Sequence, residues 1–215
     1  MDRRGFLLAG SLGGLSLLIP GPASAETGPH RIVIVGDTGV GKTSFLVTCF
    51  TGAFPGSLSS TAPVNHQIRH VRRGEPAMLD IQDTVASDDY DSLRPRLYPS
   101  AAAVIIAYSA VSPSSLTSAV RRWSPEIVQH NPDIPRLLIG MKSDLRAMPA
   151  FANRPIARNT IDEAARGIGA YASMECSALR HEGVFEALDL ISDAARGLPA
   201  RTGRRIPRGQ LISEH

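Results

Sequence analysis

The chain has 215 residues, enough for one domain with terminal extensions and too few for two of ordinary size. With 43% hydrophobic and 20% charged residues it reads as an ordinary globular chain, which excludes wholesale disorder and a multispan membrane protein. The formal charge of +3 sits at the ends: residues 196–215 carry +4 and residues 1–25 carry +1, leaving −2 for the core, so no basic face for nucleic acid is implied. Of 23 basic residues, only Lys42 and Lys142 are lysines. Two cysteines, Cys49 and Cys176, lie in apolar surroundings without metal-ligand spacing and read as buried thiols.

Residues 1–25 read as a leader. Arg3 and Arg4 precede an apolar or small stretch from Gly5 to Ile19, and Ala23-Ser24-Ala25 supplies an A-x-A cleavage site before Glu26. The apolar run is too short and glycine-rich for a membrane span. Paired arginines ahead of Phe6-Leu7 resemble a bacterial twin-arginine signal, which implies export. The alternative is an unstructured extension on a cytoplasmic protein.

From there strand and helix signals alternate. Arg31–Val35 is a β-branched strand ending at Gly36, and Gly41–Gly52 a helix. Ala53–Asn65 is loop-like. His66–Arg72 and Ala77–Gln82 are strands joined by the turn Arg73-Gly74-Glu75-Pro76. His66 and His70 share one face of that first strand with no third ligand, so a metal there is disfavoured. Val104–Ser109 is a buried strand, and Pro113–Gln129 a helix capped by Ser112, with Trp123 as a core residue. Arg136–Gly140 is a further buried strand. Thr160-Ile161-Asp162-Glu163 reads as a capping box opening a helix through Gly167. Ala172–Glu175 is the last strand and Val184–Gly197 the last helix. The expected fold is α/β: a mostly parallel six-stranded sheet with one antiparallel edge strand and flanking helices.

The chemistry is concentrated in two short segments. Gly36-Asp37-Thr38-Gly39-Val40-Gly41-Lys42-Thr43 matches G-x-x-x-x-G-K-[ST] between a strand and a helix, with Ser44 next, which marks a phosphate site and gives a P-loop NTPase as the expected fold. The glycines let backbone N–H groups point at phosphate oxygens, and the following helix adds its dipole. Lys42 supplies a compact charge for the β- and γ-phosphates, and the Thr43 hydroxyl can ligate Mg²⁺. Met141-Lys142-Ser143-Asp144 follows a buried strand at its carboxyl end, where such folds bind ligands. The Asp144 carboxylate can accept from the two N–H donors on the Watson–Crick edge of guanine, and adenine offers no such pair. GTP or GDP is therefore the expected nucleotide, against ATP.

With these motifs the chain resembles the Ras superfamily of small GTPases, and within it the Rho/Rac family, from about Arg31 to Arg196. The Rho-like stretches are Ala53-Phe54-Pro55-Gly56, Asp88-Asp89-Tyr90-Asp91-Ser92-Leu93-Arg94-Pro95, Val111-Ser112-Pro113-Ser114-Ser115 and Glu175-Cys176-Ser177-Ala178-Leu179. The resemblance implies a Ras-like G domain over residues 26–198, followed by a basic tail at 199–215. It further implies that Phe54 packs on the base and that Thr61 ligates Mg²⁺ and senses the γ-phosphate. Asp83 would hold a magnesium-bound water. The Ala178 N–H, beside Ser177, would read the guanine oxygen. Effector and regulator proteins would meet the switch loops.

Where the family reads D-T-A-G-Q-E, this chain has Asp83-Thr84-Val85-Ala86-Ser87-Asp88. Ser87 is too short to orient water as the glutamine does, and Ala86 replaces a glycine, so no residue is assigned as catalytic and hydrolysis is expected to be slow. Met141 replaces an asparagine or threonine. The effector loop T-V-F-D-N-Y becomes Thr61-Ala62-Pro63-Val64-Asn65-His66. Asp144 and Cys176 are 32 positions apart, so the Rho insert helix is expected to be shortened. The sequence given ends Leu211-Ile212-Ser213-Glu214-His215, without a cysteine for prenylation, and its arginines are expected to touch anionic membrane weakly at most. Two functions fit: a slow GTP-hydrolysing switch, and a pseudo-GTPase acting as a nucleotide-bound interaction module.

Overall fold

The structure, a computed structural model, describes residues 28–56, 65–84, 92–151 and 156–199, with the side chains at 65 and 66 excepted. The leader, Thr61 to Val64, Val85 to Asp91, residues 200–215 of the basic tail and the His66 side chain lie outside the described residues. Element order is β1 (His30–Val35), α1 (Lys42–Thr51), β2 (Asn65–Arg72), β3 (Glu75–Asp83), β4 (Ala103–Ser109), α2 (Pro113–Ser118), α3 (Ser124–His130), β5 (Arg136–Met141), α4 (Arg158–Gly167), β6 (Ala172–Glu175) and α5 (Val184–Ala195). The six strands form one sheet in the order β2-β3-β1-β4-β5-β6. Only β2 runs antiparallel, at the edge. The expected fold class is thus the observed one.

Alternate residues of the central strands feed two cores, as a parallel sheet buried on both faces requires. Ile32 and Ile34 of β1 pack with Phe45 and Leu46 of α1 and Leu188 and Ile191 of α5. Val33 and Val35 face the other way, onto Leu116 of α2, Trp123, and Ile161 of α4. Helix α5 buries Val184, Ala187, Leu188, Ile191 and Ala194, the spacing of one helical stripe. Edge strand β2 is tied to α5 by polar contacts: His70 Nε2 meets Asp189 Oδ1 at 2.8 Å, and Arg72 reaches both Asp189 and Asp193.

Three local expectations need correction. The hairpin turn is only Arg73-Gly74, both with positive φ (53° and 80°), so Glu75 and Pro76 belong to β3. Pro76 pairs with Val71 one step from the turn, and β1 reaches β3 only from Leu79 onward. Its missing N–H therefore costs the ladder nothing. The helix expected over Pro113–Gln129 is three pieces: α2, a π-helical turn at Ala119–Trp123, and α3. Pro125 explains the break, because it cannot donate to the Arg121 carbonyl and its ring crowds that oxygen; the chain responds with a wide turn in which the Ser124 N–H reaches Ala119 O. Finally, α4 begins two residues before the supposed capping box, with Ala157 at its N-cap and no side-chain cap. Its first turn is held instead by Asn159 accepting from the Thr160 N–H at 2.9 Å and by an Arg158–Asp162 ion pair at 3.1 Å. Between β5 and α4 the described residues form short 3₁₀ turns at Ser143–Ala147 and Pro149–Phe151.

Candidate nucleotide-binding site

In the strand order β1 lies between β3 and β4, so successive connections leave it in opposite directions and a crevice opens at the strands' carboxyl ends. The described motif residues that follow β1, β3, β5 and β6 lie on that edge. The loop Gly36–Gly41 joins β1 to α1. Gly36 has φ +148°, and a Cβ there would stand 2.3 Å from the Ala107 carbonyl oxygen, so β4 admits no side chain. Gly41 caps α1 with φ 115° and makes no side-chain cap hydrogen bond, so the helix N-terminus follows directly on the loop. Asp37, Thr38, Gly39 and Val40 line the loop, and Ser44 falls in the first turn of α1.

Lys42 is buried, and its Nζ donates to the carbonyls of Gly36 (2.7 Å) and Asp37 (3.0 Å), inside the loop's curl. Burial holds its pKa below the ordinary lysine value; Asp83 and Asp37 oppose that shift and Arg94 adds to it. The Thr43 hydroxyl donates to Asp83 Oδ2 at 2.6 Å, joining the start of α1 to the end of β3. Next to it the Thr84 hydroxyl donates to Ile34 O at 2.6 Å and fixes the chain leaving β3.

The second lysine closes the site from β5. Lys142 adopts a left-handed conformation (φ 60°), strained by roughly 1 kcal/mol for a residue with a Cβ. That twist carries its Nζ to Gly39 O, 2.5 Å away, so the ammonium bridges from the β5 end to the phosphate loop. Asp144, also buried, accepts from the Ser177 hydroxyl at 2.6 Å, and that oxygen accepts the Arg180 N–H at 3.1 Å. Ser177 thereby orients the carboxylate, with Ala178 directly after it. Arg146 forks onto Glu175 (3.0 and 2.5 Å) and holds the loops after β5 and β6 together.

Phe54, past the end of α1, is 39% exposed. Thr61, Ala86 and Ser87 lie outside the described residues. A cleft of about 490 Å³ adjoins the loop, walled by Asp37, Gly39, Ser112, Lys142, Leu145 and Phe151. The fully buried Trp123 is a core residue, as expected, yet it also donates from Nε1 to Asp37 Oδ1 at 2.8 Å. Nothing local in the sequence signals that link, although Pro125, two residues on, marks this helix as irregular where it meets the site.

A family model described as the Ras family matches residues 31–196. The human Rho-related GTP-binding protein RhoD is 35% identical over 190 residues, which span 85% of this chain and 90% of RhoD. With a phosphate loop after β1, a lysine–aspartate pair just past the end of β5 and the expected sheet order, the chain belongs to the Ras family and is a Rho-like small GTPase.

Proposed function

We propose that the site binds GTP and GDP with Mg²⁺, selects guanine through Asp144, and hydrolyses GTP slowly. The observation that carries the reading is the convergence of the chain's two lysines on one loop: Lys42 on the Gly36 and Asp37 carbonyls, Lys142 on that of Gly39. A cation held by the carbonyls of a glycine-rich loop at a helix N-terminus is suited to phosphate oxygens, and a buried carboxylate oriented by Ser177 is suited to a pair of N–H donors. Phe54, Ser177 and Ala178 complete the base pocket in this reading.

The paired Thr43 hydroxyl and Asp83 carboxylate are hard oxygen donors, the set that Mg²⁺ prefers, and Thr61 is the third candidate. Bound there, the ion would neutralise charge on the β- and γ-phosphates. The protein's own part is to hold the phosphates with Lys42 and the loop N–H groups and to keep the base fixed. Lys42→Ala is expected to abolish nucleotide binding, and Asp144→Ala to lose the preference for guanine. The deciding measurement is competition of GTP and ATP against a labelled guanine nucleotide, and equal competition by the two would sink the reading.

Turnover should suffer more than affinity, because the phosphate-binding groups are present while Ser87 and Ala86 replace the water-positioning glutamine and its glycine. A deficit of about 2–3 kcal/mol in transition-state stabilisation corresponds to roughly 30- to 150-fold in rate. Single-turnover hydrolysis should accelerate in the double variant Ser87→Gln, Ala86→Gly. Effectors that use the family's aromatic anchors should bind poorly, since Pro63, Val64 and His66 occupy that loop. Weak contact of the arginine-rich tail with anionic lipid belongs to the same reading. So does export: Arg3, Arg4 and Ala23-Ser24-Ala25 support a mature chain starting at Glu26, and N-terminal sequencing from the native host that finds Met1 would refute it.

A further inference from the structure

Asp37 is the second residue of the phosphate loop. A loop that holds anionic oxygens thus carries a carboxylate of its own, whose charge opposes theirs. The structure gives that carboxylate a different partner. Its Oδ1 accepts from the Trp123 indole at 2.8 Å, across 86 positions of sequence. Trp123 belongs to the core on the α2–α3 face of the sheet, whereas Lys42 opens α1 on the opposite face.

The indole is itself held on several sides. It is fully buried and ends the π-helical turn that Pro125 enforces. The guanidinium of Arg94 stands 4.6 Å from the ring centroid and that of Arg122 4.7 Å. Arg94 forks onto Glu126 at 2.7 and 2.9 Å, and the Tyr98 hydroxyl donates to the same carboxylate at 2.6 Å. A donor this constrained selects one position for its acceptor.

We propose that Trp123 is a positioning residue for nucleotide binding: its N–H anchors the Asp37 carboxylate on the α2–α3 side of the loop and keeps that charge away from the phosphates. The role rests on the guanine-nucleotide reading above. Without the anchor, the carboxylate is free to rotate toward the anion, and bound nucleotide leaves faster.

A double-mutant cycle on GDP release from the full chain separates this from simple packing. Trp123→Phe removes the N–H and should speed release about tenfold. In an Asp37→Ala background the same change should speed it by less than about twofold, because the acceptor is already gone. Equal factors in the two backgrounds would overturn the proposal. Phenylalanine also leaves a gap, so a second variant carries benzothienylalanine at position 123, which keeps the ring shape with sulfur in place of N–H. It should reproduce the tenfold effect, and release at the wild-type rate would overturn the proposal independently. Because the chain has one tryptophan, its indole N–H gives a single NMR resonance. That resonance should move upfield in Asp37→Ala, and a resonance that stays put counts against the hydrogen bond. If the wild-type protein binds no guanine nucleotide, the functional reading falls and takes this role with it. Binding with equal factors removes this role alone.

Discussion

Lys42 sits where two demands conflict. To meet phosphate oxygens it must be protonated, yet its place inside the loop is nearly dry, and burial lowers its pKa. Bound phosphate favours the charged ammonium, so the pKa in the complex lies above that in the free protein. Affinity is therefore fully present while free Lys42 is protonated and declines as pH rises through its depressed free-state pKa. Titrating GDP affinity from pH 7 upward should show that decline well before ordinary lysines deprotonate; a flat profile to pH 10 would place the ammonium elsewhere. The residues of this kind were legible in the sequence because the chemistry fixes their type and local spacing. Gly36 had to be glycine beside Ala107, and Lys42 and Lys142 stood out in an arginine-dominated chain. The Asp37–Trp123 link was not legible, because nothing local in either residue signals a partner 86 positions away.

Among the elements, the helical run from Pro113 to His130 departs most from its sequence expectation, and its departure bears on the site. Apolar periodicity marked one helix, but a proline at 125 costs an interior hydrogen bond, and the π-helical turn absorbs the loss. Glu126, one residue on, holds the Arg94 guanidinium, whose side chain is 1% exposed, and accepts from Tyr98 as well. Removing that carboxylate strips Arg94 of its bidentate partner and Tyr98 of its acceptor in a buried place. Glu126→Ala should therefore destabilise the domain by about 3 kcal/mol, and Glu126→Gln, which still accepts from Tyr98, by less. Denaturant unfolding followed by the single tryptophan measures both, and a loss under about 1 kcal/mol in Glu126→Ala would show that other contacts carry Arg94. Strands were easier to read than this helix. Their β-branched runs are bounded by glycine or polar residues, whereas a helix interrupted by π geometry keeps nearly the same apolar spacing.

For the molecule as a whole, the proposed site draws on loops leaving strands β1, β3, β5 and β6, so a nucleotide bound there would contact segments that unfolding would scatter. A ligand that binds only the folded state stabilises it by RT ln(1 + [L]/Kd), about 4 kcal/mol at a thousandfold excess over Kd. The two cysteines offer a way to read this. Both are buried, Cys49 on α1 and Cys176 just beyond β6. Burial pushes the Cys176 thiol up to about 12 and that of Cys49 higher still, so neither forms appreciable thiolate in the folded protein at pH 8. Alkylation must then wait for an opening that exposes the thiol and restores its ordinary pKa. If that opening is global unfolding, both cysteines should react at one common slow rate, and GDP should slow both in proportion to 1 + [GDP]/Kd while ATP does not. The sign with pH also follows. Ionisation above pH 9 favours the unfolded chain, whose thiols titrate normally, so stability should fall and labelling quicken faster than thiolate content alone predicts. Timed alkylation with mass analysis of each cysteine decides the matter. If Cys176 labels quickly while Cys49 stays protected, the edge bearing the base pocket opens on its own, and the protection that GDP gives Cys176 then measures nucleotide contact with that edge rather than global stability.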